Sequence, residues 1–123
     1  MNNVKVCIWG RSFNLPVSYQ NFPDEEVTHT QQLTMDAVPS VDYSDSIVGV
    51  ERYIMKYNES EITAGHIDNI FKYVMPKSIL ITRSDNVRCF AVMCNYKFDM
   101  EHGLAVVFEN EKFKSVGVQD IIL

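Results

Sequence analysis

ILITRSDNVRCFAVMCNYKFDMEHGLAVVFENEKFKSV, residues 79–116, decides the fold. Four β-rich runs stand in it, at 79–82, 87–95, 104–109 and 112–116, separated by RSDN, by KFDMEHG and by a short ENE turn. A parallel crossover needs a dozen or more residues, so these connectors require antiparallel neighbours. The stretch is therefore a meander. Within it Phe90, Val92 and Cys94 alternate onto one face, which reads as core packing.

Working backward, residues 67–76 (IDNIFKYVMP) place Ile67, Ile70, Phe71 and Val74 at helical intervals before Met75 and Pro76. With Thr63 as its cap, this is expected to be a short third helix. Before it, Ile47, Val50, Ile54 and Tyr57 recur three, four and three residues apart, with Glu51, Arg52, Lys56 and Glu59 facing elsewhere. That is the firmest helical stripe, with Ser40 as cap and Asp42 and Asp45 near its positive end. Gly49 inside it costs about 1 kcal/mol against Ala, which points to close packing there or a start later than Ser40.

Thr28 followed by Gln31 fits a capping box and starts a helix over about 29–37, which Pro39 stops by disfavouring helical geometry at Val38. Residues 4–9 (VKVCIW) alternate as a half-buried strand ending at Gly10, whereas 11–25, with Pro16 and Pro23, read as irregular or weakly extended, though Val17 and Tyr19 could continue a sheet edge. Helices cluster first and strands later. The expected class is α+β, an antiparallel meander of four or more strands with about three helices on one face, in a single domain over 1–123.

Composition supports this and narrows the function. A chain of 123 residues with 46% hydrophobic residues, 5 Gly and 4 Pro can bury roughly two-thirds of its unfolded surface. The 11 basic and 16 acidic residues give a net charge of −5 with no basic stripe, which argues against a nucleic-acid surface and permits a basic protein partner. Neither a signal peptide nor a membrane span is read, so a cytoplasmic location is expected. Cys7, Cys89 and Cys94 form no CxxC pair and are expected to be buried as small hydrophobes.

The chemically dense stretch is DMEHG, residues 99–103. Asp99, Glu101 and His102 are the right types for a divalent metal or an acid/base pair. In an extended segment, however, Asp99 and Glu101 point one way and His102 the other. The competing reading is a turn in which Asp99 accepts backbone N–H groups, His102 bonds a neighbouring acceptor and Gly103 takes a positive φ. His29 and His66 read as solvent-facing or capping. No HExxH, GxSxG or glycine-rich phosphate loop is present. Phe90, Tyr96, Phe98, Phe108 and Phe113 read as packing, while Trp9, Tyr19 and Phe22 are either a recognition patch or the rim of the core, exposure favouring recognition.

From Ile79 to Ile122 the order of features resembles a family of small bacterial domains marked by a strand, a DxEHG turn, a second strand, a polar hairpin and a terminal VGxxD. Here those are Asp99, Glu101, His102 and Gly103, then Val116, Gly117 and Asp120, with Phe98 where that family often has Trp. The resemblance implies a binding role, such as an immunity protein that blocks a toxin, and no catalytic residue or cofactor. The candidate binding residues are Asp99, Glu101, His102, Gly103 and Asp120. The functional expectation is a non-catalytic protein-binding module, against a metal-dependent enzyme using Asp99, Glu101 and His102, or a homo-oligomer joined through a sheet edge.

Overall fold

The computed structural model describes residues 3–62, 65–84 and 86–122. Six strands form one mixed sheet in sequential order: β1 (Asn3–Ile8), β2 (Arg11–Tyr19), β3 (Val74–Ile81), β4 (Cys89–Tyr96), β5 (Leu104–Glu109) and β6 (Lys112–Gly117). All neighbours are antiparallel except β2 and β3, which run parallel. The long connection between those two carries both helices, α1 (His29–Ala37) and α2 (Ser44–Asn58). The class is α+β, and the meander from β3 to β6 is as the connectors require.

Three expectations about the strands and helices are corrected. The segment 11–19 is a strand: Leu15 points into the core with Phe13, Val17 and Tyr19 packed beside it. Pro16 is tolerated because the strand changes partners there, facing Asn3 of β1 at Pro16 and Ile79 of β3 at Val17. The third helix is absent among the described residues. Ile70–Lys72 make one 3-10 turn capped by Asn69, Val74 already belongs to β3, and Thr63 lies outside the described residues. Finally, Ser40 ends a 3-10 turn, and α2 starts at Ser44, whose N–H donates to Asp42 Oδ1 at 3.0 Å.

The main core lies between the helical layer and one sheet face. Val38, Tyr43, Val50 and Ile54 meet Ile8, Ile79, Ile81, Phe90, Val92, Val106 and Phe108 there. Tyr43 sits edge-on to Phe90 and Phe108, and its hydroxyl donates to Val38 O at 2.7 Å. Both sheet edges reach α2. A Cβ on Gly49 would run into the Phe113 ring of β6, and Trp9, in the β1–β2 turn, bonds Ser46. The sheet is thus curled around the helix, and Gly49 is the point of closest approach.

The other face carries a smaller cluster, Ala91, Met93, Ala105 and Val107, with Leu80, Cys89 and Ile122 against it. Ile122 reaches it because the chain after β6 folds back over the sheet. Gln119 Nε2 donates to Cys94 O at 3.3 Å, and Gln20 Nε2 donates to Ile122 O at 3.0 Å. Cys94 is buried and Cys89 half-buried, but Cys7 is exposed, because its side of β1 faces solvent. Among the described residues no helix is long and apolar enough to cross a membrane.

Candidate functional site

The DMEHG stretch forms the corner between β4 and β5. Its backbone closes through Asp99 N–H to Tyr96 O at 3.1 Å and Gly103 N–H to Asp99 O at 2.9 Å. Asp99 Oδ1 accepts from the backbone N–H of His102 at 3.2 Å and lies 3.0 Å from His102 Nδ1, with Oδ2 at 3.1 Å. The carboxylate thus holds both the main chain and the ring of the same residue.

Gly103 has φ +62°, and a Cβ there would stand 2.6 Å from Cys94 O and 2.7 Å from Gln119 Nε2. Only glycine fits that space and that backbone. Gln119 N–H donates to His102 O at 3.4 Å, so the corner is tied to the 3-10 turn Gln119–Ile121.

The structure therefore brings Asp99, His102 and Gly103 together. It leaves Glu101 and Asp120 as exposed charges at the margin. The hydrogen bond that His102 donates to Asp99 raises the His102 pKa above its ordinary value, the Asp99 charge adds to this, and Glu101 and Asp120 contribute further. Asp99 is held below its ordinary value by the side-chain and backbone hydrogen bonds from His102. The pair lies on the surface, its side chains 49% and 34% exposed. Among the described residues no three His, Cys, Asp or Glu side chains group as metal ligands do. His66 Nε2 lies 2.6 Å from Asp68 Oδ1 with both side chains mostly exposed, and His29 is exposed at the start of α1.

Of the three aromatics near the start, Trp9 and Tyr19 are half-buried against the core, but Phe22 is 73% exposed. Its backbone is tied to Glu25. Phe22 N–H donates to Glu25 Oε1 at 2.8 Å, and Glu25 N–H donates to Phe22 O at 2.9 Å. Arg83, just after β3, binds this loop from the far side. Its Nη1 donates to Asn21 Oδ1 and, at 3.1 Å, to Glu26 O, and its Nε lies 3.4 Å from Glu25 Oε2.

Gln20, Asn21, Phe22, Glu25 and Arg83 line a hollow of about 300 Å³ at the carboxyl ends of the parallel pair β2 and β3. The sequence signal for this site is slight: an aromatic ahead of Pro23 and three acids, with no apolar neighbour in strand register.

The model of the domain of unknown function DUF6985 matches residues 3–123, and the chain belongs to that family. No curated protein and no solved structure matches it.

Proposed function

We propose that this member of the DUF6985 family is a protein-binding module, acting without catalysis, that covers a basic surface of another protein. The observation that carries the reading is Phe22, 73% exposed on a loop whose backbone is tied by Glu25 and Arg83 and which continues through Asp24, Glu25 and Glu26. An apolar ring in water has no stabilising role in the monomer, whereas aromatic anchors dominate protein interfaces. A loop already ordered in the free protein also loses little entropy on binding.

The acids beside the ring and the net charge of −5 favour a partner whose own pocket is rimmed by Lys or Arg, and they speed encounter with it. The finer form of this proposal is an immunity protein, its partner a toxin that the acidic surface occludes.

Affinity capture with the wild-type chain and with Phe22→Ser as paired baits tests it. The expected result is a protein retained by the wild type, released by salt, and held about tenfold or more weakly by the variant, as for a central anchor. Equal recovery by both baits removes the reading.

A further inference from the structure

After β6 the chain turns back and crosses the second sheet face as a strap. It starts at the corner, where Gln119 N–H donates to His102 O at 3.4 Å and Gln119 Nε2 donates to Cys94 O at 3.3 Å. One 3-10 turn, Gln119–Ile121, carries it on, closed by Ile121 N–H to Val118 O at 3.0 Å and Ile122 N–H to Gln119 O at 3.2 Å. Ile122 then packs on Ala91, Met93, Ala105 and Val107, and its carbonyl accepts from Gln20 Nε2 at 3.0 Å, just past the end of β2. The strap therefore runs from β6 to β2 across the strands between them. Its apolar hold on the cluster is the half-buried Ile122, for Ile121 is 49% exposed. A segment held by so few contacts opens locally, well short of global unfolding.

Gln20 is where the strap meets the Phe22 loop. Its backbone N–H donates to Ile81 O at 2.9 Å, and its carbonyl accepts from the buried Gln31 Nε2 at 3.5 Å, so its main chain is set by β3 and α1. Its side chain is used from both ends. The amide oxygen accepts from Arg83 N–H at 3.3 Å, while the amide nitrogen holds Ile122 O, partners 63 and 102 positions away. Arg83 in turn binds Asn21, Glu25 and Glu26 around Phe22.

We infer that the docked strap regulates the Phe22 loop, holding it in its ordered arrangement, with Gln20 as the positioning residue between the two. When Ile122 lifts away, the Gln20 amide keeps one partner in place of two, and its flexible side chain reorients. The bond to Arg83 N–H weakens, and with it the anchorage of Asn21, Glu25 and Glu26. The coupling is reciprocal. A partner that orders the Phe22 loop therefore also tightens the strap over Ala91, Met93, Ala105 and Val107. The use of this device in binding rests on the reading of Phe22 as the anchor for a partner, but the coupling itself is measured on the free protein, so the two fail separately.

The test is amide hydrogen exchange, followed by NMR on the free protein, in wild type, Ile122→Ser, Gln20→Ala and the double variant. Ile121 and Ile122 N–H report on the strap, Phe22, Glu25 and Arg83 N–H on the loop, and Phe90 and Val106 N–H, in central strands, on global opening. Ile122→Ser should speed exchange of the strap amides. Relative to the core amides it should also speed the loop amides roughly 2- to 10-fold, the size of one hydrogen bond. In Gln20→Ala the loop should exchange faster from the outset, and adding Ile122→Ser should change it no further. If Ile122→Ser raises the core amides equally, Gln119→Ala, which frees the other end of the strap, is read by the same ratio of loop to core. Loop amides unmoved when the strap amides speed up, strap amides unmoved by Ile122→Ser, or effects that add in full in the double variant overturn the coupling and leave the proposed function standing. Equal capture by the wild-type and Phe22→Ser baits removes that function and leaves the coupling.

Discussion

Trp9 Nε1–H donates to Ser46 Oγ at 2.9 Å, joining the turn at one edge of the sheet to the helix on its face. The same hydroxyl donates to Tyr43 O at 2.5 Å, and Ser46 is buried, so one side chain satisfies an indole donor and a helix-start carbonyl. Trp9 sits at φ +53°, a conformation a bulky residue adopts only when its surroundings impose it. Phe71, 5.9 Å away, supplies the rest of that constraint.

Ser46→Ala removes both bonds without opening a large cavity. The expected loss is about 1–2 kcal/mol, mostly from the indole donor left unsatisfied. Urea unfolding followed by fluorescence of the single tryptophan measures it, and the emission of the folded variant should change as well. A midpoint equal to wild type would show that the edge is held by the ring contacts alone.

Two glycines with positive φ separate backbone strain from steric overlap. Gly10, at φ +82°, has nothing within 4 Å of a built Cβ, whereas Gly103 would drive its Cβ into Cys94 O and Gln119. Gly10→Ala should cost about 1 kcal/mol, the price of the left-handed conformation alone. Gly103→Ala should cost about 2–4 kcal/mol, because a carbonyl in a central strand has to move. Thermal melts of the two variants decide this, and equal losses would contradict the packing at the corner.

The Asp99–His102 pair makes a pH prediction whose sign differs at its two ends. The folded His102 pKa is raised from 6.5, so its contribution is complete below that value and is lost as pH rises through the folded pKa. The folded Asp99 pKa is lowered from 3.8, so its contribution is present above 3.8 and is lost as pH falls through the folded pKa. The corner is therefore tightest between these limits. Proton NMR of the His102 ring should titrate above 6.5 in wild type and return toward 6.5 in Asp99→Asn. A ring that titrates identically in both would show the pair is unformed in solution.

What the sequence made legible was whatever is decided locally. Thr28 and Gln31 form the expected capping box, with Gln31 N–H to Thr28 Oγ1 and Thr28 N–H to Gln31 Oε1 both at 3.0 Å, and α1 spans the residues expected of it. LAVVFE, bounded by Gly103 and Asn110, is β5 to the residue. Gly49 carried two readings and both hold, since α2 starts after Ser40 and Phe113 packs on the glycine.

The misreadings arose where tertiary contacts override local pattern. Phe13, Leu15, Val17 and Tyr19 alternate as a strand should, but Pro16 among them hides it, and only the change of partner at that residue makes a proline harmless. Without β2 the crossover has no first strand, so the parallel pairing with β3 was invisible. Ile67, Ile70, Phe71 and Val74 fit a helical stripe because a short apolar run suits either period. The sheet claims Val74, and Pro76 is accommodated at the irregularity between Pro76 and Ser78. At the corner, the residues and their turn geometry were legible.

The three cysteines give a last prediction, in which reactivity follows the side of the sheet that each thiol occupies. Cys7 projects from β1 toward solvent. Cys89 is half-buried on the second face, near Lys114. Cys94 points into the main core, its sulfur 3.6 Å from Val92 O, and burial raises its pKa strongly. Because the thiolate is the reactive form, accessibility and ionisation act together on Cys94 and against it. An aromatic disulfide reagent should release one equivalent rapidly from the native protein and a second more slowly. The third should appear only in denaturant, and Cys7→Ser should remove the fast phase alone. Release of the third thiol at the fast rate from native protein would mean that the interface between α2 and the sheet opens readily, and that the curled sheet does not enclose the helix as described.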